Sequence, residues 1–210
     1  MRWATRTNLL VCLLLACAGI SAQAQMLAFS ADVSVTSGQG NAVVGKWYLS
    51  GAKMRMDMSS PVEAKANPMG KVSMIIDPGA KNAIMLMPQH QVYMEIPAGS
   101  NHEIEGMQRL RNVSQGGNPC AGETGTTCKK LGSETVNGRS CDKWEITEKE
   151  EGHTTTAWVD QKLHFPIKVQ DNKGVTTNFT NIKEGPQDPS LFVIPPGYHK
   201  LDVSVPARPR

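Results

Sequence analysis

The chain has 210 residues with 22 basic and 19 acidic side chains, a formal net charge of +3. Arg2 and Arg6 precede every acid, leaving 20 bases against 19 acids, so the body of the chain is close to neutral. That balance, with no basic stripe and no aromatic-interleaved basic run, excludes a nucleic-acid partner. It fits one domain with a sizeable core.

The N-terminus reads as a secretory signal. Met1-Arg2-Trp3-Ala4-Thr5-Arg6 is positive, Leu9 to Ala18 is apolar, and Ala22 and Ala24 form a small-x-small cleavage site. The apolar run is far shorter than the roughly 20 residues that span a bilayer. Residues 1–24 are therefore expected to be a signal peptide, residues 25–205 the domain, and 206–210 a disordered tail. Leu14-Leu15-Ala16-Cys17 is a competing lipobox, and lipidation of Cys17 would tether the domain to a membrane.

Period-two alternation follows. Phe29, Ala31, Val33 and Val35 share a face, Gly38-Gln39-Gly40 turns the chain into Val43 to Leu49, and Ser50-Gly51 turns it into Lys53 to Met58. Beyond a Pro61 to Met69 loop, Val72 to Ile76, Asn82 to Met87 and Gln91 to Ile96 are strands, the first two joined at Asp77-Pro78-Gly79. Ser100-Asn101-His102-Glu103 is a capping box opening a short amphipathic helix through Ile104, Met107 and Leu110 to Asn112. Val113 to Thr127 is a polar loop. The sheet resumes with the Asn137-Gly138 hairpin between Glu134-Thr135-Val136 and Arg139 to Thr147. Thr154 to Asp160, Phe165 to Gln170 and Val175 to Ile182 complete it. Ten or eleven strands with no βαβ alternation predict a mainly β fold, a single curved antiparallel sheet covered by one short helix.

Five cysteines become three once Cys12 and Cys17 leave with the signal. Cys120 and Cys128 flank a Gly/Thr-rich loop and read as a local disulfide, with zinc as a rival that lacks ligand spacing. Cys141 is left either free or able to take one partner's place.

Methionine is the compositional oddity, eleven in all. Met54, Met56 and Met58 share one face of one strand, and Met74, Met85, Met87 and Met94 fall in the following strands. Three readings stand: ordinary core packing, the lining of an adaptable apolar cavity, or thioether binding of Cu(I). Consecutive same-face residues of a strand lie nearly 7 Å apart, too far for Met54, Met56 and Met58 to ligate one ion unaided. His90, His102, His153, His164 and His199 show no ligand spacing, and neither a nucleophile elbow nor a phosphate-binding loop occurs. The sequence thus predicts no enzyme, no cofactor and no metal site.

The hairpin Gly132-Ser133-Glu134-Thr135-Val136-Asn137-Gly138-Arg139-Ser140-Cys141-Asp142-Lys143-Trp144 and the ending Phe192 to Leu201 resemble a family of uncharacterised secreted bacterial proteins. Gly45-Lys46-Trp47-Tyr48 and Lys53-Met54-Arg55-Met56 fit it too. That family is distantly similar to the periplasmic lipoprotein carriers of the Lol type. The resemblance implies an unclosed β half-barrel around an apolar cavity, a periplasmic location, and binding of a lipid or lipid-bearing protein. A single lid helix and a loop disulfide depart from the carriers. An envelope structural or protein-interaction module without a small ligand is the alternative function, and a copper or redox-stress protein the third.

Overall fold

A computed structural model describes residues 27–38, 42–59, 70–80, 82–97, 117–120, 124–148 and 152–201. The expected signal peptide, the Ser100 to Asn112 helix and the 206–210 tail lie outside the described residues, as do Cys17 and His102.

Strands run in chain order as β1 (Ala28–Thr36), β2 (Ala42–Ser50), β3 (Lys53–Ser59), β4 (Val72–Ile76), β5 (Asn82–Met87) and β6 (Val92–Pro97). They continue as β7 (Thr126–Val136), β8 (Arg139–Glu148), β9 (Thr154–Asp160), β10 (Pro166–Asp171), β11 (Thr176–Glu184) and β12 (His199–Lys200). All belong to one unclosed sheet ordered β12-β6-β5-β4-β3-β2-β1-β11-β10-β9-β8-β7. Every pairing is antiparallel except β12 on β6. Two meanders thus run outward from the centre, where β1 pairs with β2 on one side and β11 on the other.

The count is twelve where the sequence predicts ten or eleven strands. The two-residue β12 accounts for part of the difference. The polar loop expected through Thr127 also ends earlier, because β7 already begins at Thr126. Its first half, Thr126 to Ser133, is mostly exposed and carries no apolar alternation, so period two gives no signal there.

Tight turns set the registers. Asn137 (φ 51°) and Gly138 (φ 76°) both sit in the left-handed region that a two-residue β7–β8 hairpin demands. At the β9–β10 connection, Asp160 Oδ1 accepts from the amides of Lys162 (2.8 Å) and Leu163 (2.7 Å), while Asp160 N donates to Phe165 O at 2.9 Å. This knot delivers Leu163 and Phe165 into the main core.

The two halves differ in regularity. Register shifts interrupt β7–β8 at Lys130/Gly132, β9–β10 at Pro166/Lys168, and β1–β11 at Ser30/Asp32, where Asn181 (φ 50°) supplies the extra residue. Bulges of this kind bend and twist a sheet. From β1 through β6 the ladders run without a shift.

Hydrophobic clusters form on both faces of β2 to β5. Ile76 and Ala83 belong to the main core with Phe29, Trp47, Phe165 and Phe179. Their chain neighbours Ile75 and Ile84 point the other way, into a second cluster with Leu86 and Phe192. Four rings anchor the main core edge to face, from 5.1 Å (Phe29–Phe165) to 6.3 Å (Trp47–Phe165) between centroids. Each such pair contributes about 0.5–1.5 kcal/mol beyond its buried area. The second cluster is closed by the chain's own C-terminal strap. Asp188 caps the 3-10 turn Pro189–Phe192, and Arg55 Nη1 donates to Leu191 O at 2.9 Å. Beyond it, His199 N donates to Gln91 O and Leu201 N to Tyr93 O, stitching β12 to β6.

Candidate functional site

On the outer face of β3 to β6 the strap packs over Ile75 and Leu86; the inner face is where the methionines lie. Register places them in three parallel rows. In the middle row Ala31 opposes Trp47, Trp47 opposes Met56, Met56 opposes Met74, Met74 opposes Met85, and Met85 opposes Met94. One flanking row holds Leu49, Met54 and Ile76, with Ala83 opposite Ile96 on the next strands. The other holds Gly45, Met58 and Val72, with Met87 opposite Val92. All seven methionines singled out from the sequence therefore share one face.

They do not share one environment. Met54 is 1% exposed and Met87 5%, both core residues, while Met56, Met58, Met74, Met85 and Met94 are only half-buried. The sheet's centre is filled by the aromatic rings; beyond Trp47 the core continues through Met54, Ile76 and Ala83, with Met56, Met58 and Met74 packed against it. Gly45 is obligatory beside them, because a Cβ there would meet Asp57 O at 2.2 Å and Met58 Sδ at 2.8 Å. Trp47 is 4% exposed, and its Nε1 finds no hydrogen-bond acceptor among the described residues.

The opposite end of the sheet carries a polar constellation that the sequence reading missed. Asp160 is 1% exposed and is held by Arg139, which also reaches Glu184 Oε1 at 2.9 Å. Burial pushes the Asp160 carboxyl up, but Arg139 and the Leu163 and Lys162 amides outweigh it and hold the group below its usual range. Nothing in the pattern Thr154 to Asp160 marks that acid as buried. Next to it, the Trp158 indole donates to Glu134 and lies under Lys143 (5.0 Å) and Lys168 (4.4 Å). Asp142, bonded by Lys130, Gln161 and Ser133, is depressed to about 2. These partners are mutually satisfied, which is the signature of a structural network.

Cys120 and Cys128 form a disulfide with Cα atoms 5.8 Å apart, tying the residues before β7 to its third position. Cys141 is a free, fully buried thiol, and burial, with the nearby Asp160 carboxylate, pushes it up to about 11. Such a thiol is inert at neutral pH. Among the described residues no three His, Cys, Asp or Glu side chains gather as a metal site. His90, His153, His164 and His199 stand on separate turns and the β12 edge. A cavity of about 270 Å³ beside Asp142, Trp144, Asp160 and His164, and one of about 380 Å³ beside Lys46, Tyr48, Arg55 and Lys71, are both rimmed by polar groups. No described helix is long and apolar enough to cross a membrane.

Residues 30–164 match the family described as Domain of unknown function (DUF4412). The chain belongs to this family. No curated protein matches the sequence. Among solved structures, an uncharacterized conserved protein from Thermus thermophilus is similar with a TM-score of 0.54 at 9% identity, over 84% of this chain and 90% of that one. The Mycobacterium tuberculosis lipoprotein LppX is similar at a TM-score of 0.38 and 12% identity, over 74% and 84%. A LolA superfamily protein from Nitrosomonas europaea is similar at 0.33 and 9%, over 81% and 91%. The unclosed, mainly β architecture of this DUF4412 chain is the one the Lol-type resemblance implies.

Proposed function

We propose that this DUF4412 protein is a non-enzymatic envelope protein whose half-barrel binds an apolar ligand, a lipid or the acyl chains of a lipid-bearing protein. In this reading residues 1–24 direct export and residues 25–205 are the mature periplasmic domain. Lipidation at Cys17 would add a membrane tether.

The observation that carries the proposal is the inner face of β3 to β6. Five half-buried methionines stand there on a regular sheet: Met56, Met58 and Met74 lean on the main core, and Met85 and Met94 carry the apolar surface beyond it. Flexible thioethers adapt to a fluid acyl chain at low cost, and neighbouring Val72, Val92 and Ile96 extend the apolar surface. On the outer face of the same strands the strap packs Phe192 and Leu191 over Ile75 and Leu86, and the cavity beside Lys46, Arg55 and Lys71 is rimmed by charge. The Lol-type resemblance of the sequence is in keeping with this reading.

Strand addition at the sheet edge is less favoured. The long edge strand β7 carries Lys129 and Lys130, a bulge at Leu131 and a disulfide at Cys128, all devices that discourage pairing.

The test is native mass spectrometry of the protein purified from its own periplasm, with organic extraction of bound material. A stoichiometric acyl-chain ligand is expected, with Met74→Glu abolishing it while the fold persists. A bare polypeptide that also fails to bind a fluorescent fatty acid saturably would overturn the proposal.

A further inference from the structure

The middle methionine row has a second chemistry. Along a strand, same-face side chains are nearly 7 Å apart, which separates Met54, Met56 and Met58 too widely for a shared ligand. Across a sheet the spacing is different: neighbouring strands lie about 4.8 Å apart, and directly opposed Cβ atoms about 4.5–5.5 Å. Met56, Met74, Met85 and Met94 are related in that second way, each directly opposite the next on four consecutive strands. The ladders carrying them contain no register shift, so the row is straight.

With metal–sulfur bonds of about 2.3 Å, two sulfurs on opposite sides of one ion stand about 4.6 Å apart. That matches the spacing of neighbouring strands, whereas Met56 and Met85, two strands apart, are too far from each other to share an ion directly. Met74 is therefore the common ligand, paired through flexible torsions with Met56 on one side or Met85 on the other. All three are half-buried, Met56 and Met74 against the main core, whereas Met54 and Met87 are fully buried. Trp47, next in the row beside Met56, supplies an aromatic neighbour of the kind that favours a desolvated cation.

We propose that Met56, Met74 and Met85 form a thioether site for a soft monovalent cation, Cu(I) or its analogue Ag(I). A donor set of neutral thioethers alone prefers such ions over the harder divalent metals, which look for imidazole or carboxylate. Met94 stands one strand beyond, opposite Met85, so the ion can be passed along the row from pair to pair without leaving sulfur. The site goes beyond the apolar-ligand reading and neither requires an acyl ligand nor excludes one.

The experiment is titration of Ag(I) in chloride-free buffer into mature protein with ¹³C-methyl-labelled methionine, in a Cys141→Ala background that removes the competing thiol. Methyl resonances of Met56, Met74 and Met85 are expected to shift together and saturate at one equivalent, while Met54 and Met87 stay in place. Met74→Leu, a volume-conserving change that leaves the fold intact, is expected to weaken binding at least tenfold, and Met87→Leu to leave it unchanged. No saturable shift, or binding that survives Met74→Leu undiminished, would overturn the proposal. Because no lipid enters this titration, failure of the acyl-ligand reading leaves its outcome unaffected.

Discussion

Replacing Asp160 gives the most direct measure of how the sheet's far end is held. The carboxylate is 1% exposed and accepts from Arg139 and from the Lys162 and Leu163 amides. Removing one partner of a buried pair costs about 3–5 kcal/mol. Arg139 keeps Glu184 and its side chain is 22% exposed, which places the ion-pair loss at the lower end of that range. Two orphaned amides add about 1 kcal/mol each. Asp160→Ala is therefore expected to cost about 4–5 kcal/mol, and Asp160→Asn, which keeps an acceptor for the amides, about 2 kcal/mol. In urea, with a slope of about 2 kcal/mol per molar, the midpoint should fall by about 2 M for alanine and about 1 M for asparagine.

The same group gives a pH signature. Its folded pKa lies below the ordinary 3.8, so its contribution is complete above that value and is lost as pH falls toward the lower folded pKa. Wild type should lose more stability than Asp160→Asn across that acid window, read by tryptophan fluorescence. Midpoints for both variants within about 0.5 M of wild type would refute the idea that Asp160 organises the β9–β10 knot.

Three further outcomes are expected. Gly45→Ala should destabilise by about 2–3 kcal/mol, seen as a lowered Tm, because the new methyl must displace the β3 backbone at Asp57. Cys141 should resist Ellman's reagent at pH 8 in the folded protein and react fully in guanidinium, since its thiol titrates at about 11; native labelling within minutes would contradict its burial. Reducing Cys120–Cys128, which closes a sequence separation of 8, should lower stability by about 2.5 kcal/mol in a urea titration.

Much of this architecture is legible in the sequence because half-buried strands write their burial as alternation. Phe29-Ala31-Val33 and Met54-Met56-Met58 need only parity to be assigned a face. Parity does not say which strand lies beside which. The partnership of β1 with β11 and the alignment of Met56 with Met74, Met85 and Met94 emerge from register alone. The first half of the edge strand β7 escapes because an exposed strand has little reason to alternate, and Asp160 escapes because one acid among threonines and valines looks like any turn residue. The strap ending at Tyr198 reads in sequence as a terminus, whereas it covers Ile75 and Leu86.

The seam between β1 and β11 also dictates an order of events. Residues Ala28–Thr36 leave the ribosome, and in an exported chain the translocation channel, about 140 residues before their partner Thr176–Glu184. At roughly 5–20 residues per second, one whole margin of the first strand waits on the order of ten seconds or more for its mate. During that interval Phe29 and Val33 lack the Phe165 and Phe179 rings that shelter them. A nascent chain of this topology is thus a natural client for holding chaperones until its last long strand arrives, and its yield on expression should depend on them more than its final stability would indicate.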